Sequence, residues 1–200
     1  GYAWLEVNYR GSTGYGRSYQ HAQRLCWGDV DVEDAAGAAH ALGMEGLANS
    51  RQLVIHGGSA GGYTVLNTLI RYPGVYKAGI CRYGVSNLFS LDMDTHKFEA
   101  HYTASLVGKL PQAAARYHEW SPVFHADKIQ DAVAIFQGSD DKVVPPDQSE
   151  QIVEKLRQQR TPHLYRVYQG EGHGFRKEES IADFLKRMER FIQAHVLFAP

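Results

Sequence analysis

Apolar residues along this chain fall into short continuous runs, separated by stretches in which they recur every three or four positions. Runs at about 3–8, 52–56, 77–81, 132–137 and 163–168 are rich in Val, Ile, Leu and aromatics. Three of them are almost uninterrupted, as strands covered on both faces should be. Between the runs, helical spacing predicts helices over 30–42, 60–71, 146–159 and 179–195. In the first of these, Val30, Ala35, Ala38, Ala39 and Leu42 lie near one stripe, behind Asp29, Asp31, Glu33 and Asp34, whose charges suit a helix N-terminus. Strands that alternate with helices need crossover connections, so the pattern predicts an α/β fold: a mostly parallel sheet with helices on both faces. The stretch 84–127 is less regular, with a short helix expected near 111–118, and an excursion of that size from a sheet commonly shapes a binding site.

Composition narrows the picture. At 200 residues, 44% hydrophobic, the chain can bury one sizeable core and reads as a single domain over 1–200. Lys plus Arg number 21 against 22 for Asp plus Glu, which leaves no basic field for nucleic acid and points to a small molecule or peptide as partner. No apolar stretch nears the roughly 18 residues needed to cross a bilayer, and the first residues lack the regions of a signal peptide. The expectation is therefore a soluble, cytoplasmic chain with no membrane partner. Cys26 and Cys81 form no CxxC pattern and have no histidines at ligand spacing, so free thiols are expected and no zinc site. Gly1–Asn8 reads as an interior strand with no start methionine and no polar lead-in, so the chain is expected to be cut from something longer.

Against this background one motif carries chemistry. Gly57-Gly58-Ser59-Ala60-Gly61 follows the apolar run Gln52–Ile55 and opens a helical stretch, which places Ser59 at a sharp strand-to-helix turn with its hydroxyl exposed above the sheet. A serine hydroxyl is a weak nucleophile at neutral pH; it needs a base to take its proton and a carboxylate to orient that base. After the run 132–137 comes the acidic turn Gly138-Ser139-Asp140-Asp141-Lys142-Val143-Val144-Pro145. After the run 163–168 comes Gly170-Glu171-Gly172-His173-Gly174-Phe175. Ser59, then Asp140 or Asp141, then His173 is the chain order of α/β-hydrolases, with each residue on its own post-strand loop. The other histidines, His56 included, have no paired ligand spacing and are read as structural.

These blocks, together with Asn8-Tyr9-Arg10-Gly11-Ser12-Thr13-Gly14-Tyr15-Gly16, resemble the catalytic domain of prolyl oligopeptidase family serine peptidases over nearly the whole chain, on the acylaminoacyl-peptidase and dipeptidyl-peptidase side of that family. The resemblance implies an α/β-hydrolase fold that lacks its first strand or strands, with Ser59 as nucleophile, His173 as general base and acid, and Asp140 as the orienting carboxylate, chosen for its position two residues before Lys142. It implies oxyanion donors at the Ala60 N–H and at the Tyr15 hydroxyl, the latter in competition with an H-G-G loop upstream of residue 1. It makes Val85, Leu88 and Val143 candidates for an apolar pocket, with core packing weighed equally, and Lys142 a contact to a substrate carbonyl. No cofactor or metal is implied. Short peptides are the implied substrates; an N-terminal β-propeller is the implied companion domain, and a homo-oligomer is admitted. Ala60, where relatives often carry Tyr or Asn, leaves that wall of the site smaller. A carboxylesterase of the same fold and a non-catalytic binding module are the competing readings, and residues 1–200 in isolation are expected to be weakly active or inactive.

Overall fold

The computed structural model describes residues 2–94 and 102–199. Among them, β1 (Val54–Gly58), β2 (Ala78–Arg82), β3 (Ala132–Gly138) and β4 (His163–Tyr168) form a sheet in the order β1-β2-β3-β4. All neighbours run parallel, and Gly58 pairs with Arg82, Arg82 with Phe136, and Gly138 with Tyr168 at the ends of the strands. The helices are α1 (Arg17–His21), α2 (Val30–Met44), α3 (Ala60–Arg71), α4 (Leu88–Asp94), α5 (Tyr102–Val107), α6 (Ala114–Trp120), α7 (Pro146–Gln159) and α8 (Glu178–Ile192), of which α2, α3, α7 and α8 are those the helical spacing predicts. A π-helical turn, Gln193–Leu197, prolongs α8.

Every residue of the central strand β3 is buried, and its side chains divide strictly by parity. Val133 and Ile135 pack with Val65 and Leu69 of α3, Ile152 and Leu156 of α7, and Ala35 and Ala39 of α2. Ala134 and Phe136 turn the other way, onto Phe184 and Phe191 of α8. Both faces of the sheet are thus covered, the condition under which a parallel strand tolerates an unbroken apolar run. Each large aliphatic side chain in these layers contributes roughly 1.5–3 kcal/mol. A third cluster lies under the 84–127 excursion, where Trp27, Tyr63, Leu88, Val107 and Tyr117 are buried together. The short helix expected near 111–118 is α6, a few residues later, and α1, α4 and α5 lie where the spacing predicts no helix.

Residues 3–8 depart from the expectation. They form no strand: Trp4 is 68% and Leu5 52% exposed. Their side-chain pattern favours a pleated surface, but a strand also needs neighbouring backbone to take its N–H and C=O groups, and among the described residues none pairs with this run.

His56, on β1, faces the α8 side. Its ring meets Trp4 edge-on at 5.5 Å and stacks toward Phe184 at 6.3 Å, and Nε2 is buried without a hydrogen-bond partner. Burial, reinforced by the Arg82 charge, lowers its pKa from the usual 6.5 to about 4. The imidazole is therefore neutral in the fold and is a packing group. Between pH 6.5 and 4 the unfolded chain binds a proton at this site that the native chain does not, so stability falls as pH falls through that window. The expected outcome is a Tm that declines from pH 7 toward pH 4 and a flatter Tm–pH curve for His56→Phe; parallel curves for the two proteins would contradict this origin.

Candidate active site

The C-terminal ends of β1, β3 and β4 deliver three loops to one edge of the sheet. At the first, Ser59 takes φ 56° and ψ −120° between the last residue of β1 and the first of α3. A non-glycine residue held there stores on the order of 1–3 kcal/mol, so its surroundings must define it. The Ser59 N–H donates to the Arg82 carbonyl at 3.0 Å, and its own carbonyl accepts the Tyr63 N–H at 3.1 Å. Gly57 lets the turn close, because a Cβ there would sit 2.3 Å from the Gly61 carbonyl oxygen. Ala60 is exposed at the first position of α3, where N–H groups have no intrahelical acceptor and the helix dipole favours negative charge.

At the second loop, the Asp141 side chain turns inward. Oδ1 accepts the N–H groups of Val143 and Val144, both at 2.9 Å, and Oδ2 accepts from His173 Nδ1 at 2.8 Å. Gln137, fully buried, steadies the turn: its Nε2 donates to the Val144 carbonyl at 3.0 Å and to Asp141 at 3.3 Å, while Oε1 accepts the Ser149 hydroxyl at 2.7 Å. Every polar atom of that amide is engaged. Gly138 allows the third loop to approach, since a Cβ on it would lie 2.4 Å from the Glu171 carbonyl oxygen.

His173 joins the three loops. Because a carboxylate only accepts, the proton of a neutral imidazole sits on Nδ1, which leaves Nε2 to accept from the Ser59 hydroxyl at 2.8 Å. The ring is also bounded by Tyr83, whose centroid is 4.8 Å away and which packs edge-on against Phe175. Tyr83 itself has φ 37° and is held by its N–H to the Phe136 carbonyl at 2.7 Å.

Set beside the sequence reading, this corrects the choice of carboxylate. Asp141, not Asp140, bonds His173. Asp140 is exposed and its Oδ1 accepts the Ser139 hydroxyl at 2.7 Å, while its N–H is bound to the Glu171 carbonyl. Val85 and Leu88 are 3% and 0% exposed inside the aromatic cluster, so the pocket-wall expectation gives way to core packing for these two. Val143, 44% exposed, and Lys142 present surface beside Asp141. Tyr15 is 56% exposed and contacts the Tyr19 ring at 5.4 Å; among the described residues it makes no hydrogen bond to the Ser59 cluster. Sequence reasoning missed Gln137 and Tyr83. A lone amide ending an otherwise apolar strand was the available signal for the first; none existed for the second.

A model of the prolyl oligopeptidase family matches residues 1–197. Dipeptidyl aminopeptidase BIII of Pseudoxanthomonas mexicana is 32% identical over 197 residues, covering 96% of this chain and 29% of that protein. Dipeptidyl peptidase family member 6 of Caenorhabditis elegans is 31% identical over 199 residues, covering 96% of this chain and 27% of its own length. Among solved structures, a puromycin-hydrolyzing peptidase of Mycobacterium tuberculosis superposes with a TM-score of 0.93 at 44% identity, over 97% of this chain and 29% of that one. The chain thus spans less than a third of the length of these relatives.

The two glycines that flank the elbow are not equivalent. Gly57→Ala forces backbone apart and is expected to cost about 1–3 kcal/mol or more. A Cβ on Gly61 meets nothing within 4 Å, so Gly61→Ala, at a helical position, is expected to be neutral or stabilising by up to about 1 kcal/mol. Urea titration of both variants checks the difference; equal losses would contradict it.

Proposed function

The chain belongs to the prolyl oligopeptidase family, and on that premise we propose that it is the catalytic unit of a serine peptidase that cleaves short peptides through an acyl-enzyme. The observation that carries this reading is the pair of 2.8 Å contacts that link Ser59 Oγ to His173 Nε2 and His173 Nδ1 to Asp141 Oδ2. In the proposed reaction, Ser59 Oγ attacks the scissile carbonyl carbon while its proton passes to His173 Nε2, and the resulting imidazolium is stabilised by Asp141. The carbonyl oxygen gathers negative charge against the Ala60 N–H, at the positive end of α3. The tetrahedral intermediate collapses as His173 returns the proton to the leaving amine. A water then repeats the sequence on the acyl-serine, with His173 again the base, and frees the acid. Two backbone N–H groups hold Asp141 Oδ1 in this buried place and leave Oδ2 toward His173.

The two dipeptidyl peptidases named above favour dipeptidyl substrates, the resemblance of the motifs adds acylaminoacyl peptides, and puromycin is a suitable first probe. Tyr15 is the proposed second oxyanion donor. For a protein of the relatives' length, an N-terminal β-propeller is the proposed companion, whose part is to restrict which peptides reach Ser59.

In the full-length protein, a fluorophosphonate probe is expected to label wild type and not Ser59→Ala. Asp141→Asn is expected to lower kcat by about 10⁴-fold, as wrong-tautomer variants do, whereas Asp140→Asn stays within a few-fold. Loss of activity in Asp140→Asn alone would overturn the assignment, and ester turnover without peptide or puromycin cleavage would replace peptidase by esterase. Tyr15→Phe checks the second donor: a loss of about 10²-fold supports it and a few-fold loss excludes it.

A further inference from the structure

The loop that carries His173 holds a second acidic residue which the proposed chemistry does not use. Glu171 is only 2% exposed. Its Oε2 accepts the Arg176 N–H and its Oε1 the Lys177 N–H, each at 2.9 Å. Lys177 is the N-cap of α8, so the carboxylate lies at the positive end of that helix, where the Ser180 hydroxyl also favours its charged form. Burial alone would raise this carboxyl; the two N–H groups, Ser180 and the Lys177 charge outweigh it and hold the pKa below the ordinary value. The group is therefore a buried, ionised carboxylate bonded to the far end of its own loop.

The geometry is that of a clasp. The chain leaves Glu171, carries His173 out to Ser59, closes a bridge between Gly172 and Gly174, and returns at Arg176 and Lys177 to the Glu171 side chain. The main chain of the same residue ties this loop to its neighbour, because the Glu171 carbonyl accepts the Asp140 N–H at 2.9 Å. A further link runs from the Gly170 N–H to Ser139 Oγ at 2.8 Å. One residue thus closes the histidine loop and registers it on the loop that presents Asp141.

We propose that Glu171 is a positioning residue for His173: its carboxylate closes the loop 172–175 on the N–H groups of Arg176 and Lys177, and its carbonyl sets that loop against Asp140, so that the imidazole meets Asp141 and Ser59 together. This rests on the peptidase reading given above. A glutamate that merely anchored α8 would affect stability and leave the imidazole alone.

Glu171→Gln keeps the shape but turns one acceptor into a donor that faces an N–H. In the full-length protein kcat is expected to fall on the order of 10–100-fold, the loss that follows a misplacement of about 1 Å, with KM nearly unchanged. The downfield proton resonance of His173 Nδ1–H is expected to shift or broaden. Ser180→Ala removes one donor only and should move both readouts the same way by less, which keeps the test open if Glu171→Gln fails to fold. A lowered Tm with wild-type kcat and an unmoved resonance would overturn the proposal. Failure of the wild-type protein to take the fluorophosphonate at Ser59 would instead sink the peptidase reading, and the resonance would still report whether Glu171 positions His173.

Discussion

The parallel ladder from β1 to β4 is the constraint on which the site depends. Because all four strands point the same way, each ends at the same edge of the sheet, and the pairing of Gly58 with Arg82, Arg82 with Phe136 and Gly138 with Tyr168 fixes how far apart the ends lie. Ser59 follows the first of these pairs directly, and Asp141 and His173 follow the last within a few residues. Three side chains separated by long stretches of sequence therefore meet through two bonds of 2.8 Å without any of the three loops having to be long. The two faces of β3 carry different side chains, Val133 and Ile135 on one and Ala134 and Phe136 on the other, so a one-residue shift would exchange the residues facing α3 and α7 with those facing α8.

At this edge the fold holds conformations that the chain would not adopt alone. Ser59 and Tyr83 both have positive φ, and the two are adjacent through the bond from the Ser59 N–H to the Arg82 carbonyl. Each strained residue has its N–H bound to the next strand over, Ser59 to β2 and Tyr83 to β3. The strain is thus carried by the sheet rather than by the loops, which holds the Ser59 turn rigid. The aromatic face of Tyr83 against His173 is a consequence of the same backbone twist, for an extended residue at that point would send its side chain elsewhere.

How much of this the sequence discloses depends on the kind of information each feature needs. Helices 60–71 and 146–159 coincide with α3 and α7, because a stripe at helical spacing and a proline in the first turn of α7 are local signals. The strand expected at 3–8 required a partner backbone, which is not a property of the run itself. Asp140 and Asp141 are chemically identical neighbours, and what separates them is the direction in which the turn points each carboxylate. That direction follows from the N–H groups of Val143 and Val144, which a sequence lists but does not orient. Val85 and Leu88 raise the same difficulty: an aliphatic residue in this region has identical composition whether it lines a pocket or fills a core, and only Trp27, Tyr63 and Tyr117 packed with them decide between the two.

The two buried carboxylates behind His173 show how the site divides its electrostatic work. Asp141 and Glu171 each accept two backbone N–H groups, and among the described residues no lysine or arginine side chain bonds to either. Asp141 has an oxygen left over, and that oxygen faces the imidazole. Glu171 has both oxygens committed to its own loop, and its charge is answered by the N-terminus of α8. A cation bonded to Asp141 would compete with His173 for the same oxygen, whereas backbone N–H groups hold the carboxylate in place and leave Oδ2 facing the ring. The neutral Gln137, on β3 just before the acidic turn, fits the same logic, since it secures the Val144 carbonyl, Ser149 and Asp141 Oδ2 without adding a charge of either sign. Backbone N–H groups and Gln137 thus hold Asp141, the Glu171 carboxylate closes the loop that carries His173, and Asp141 is the carboxylate that meets the imidazole.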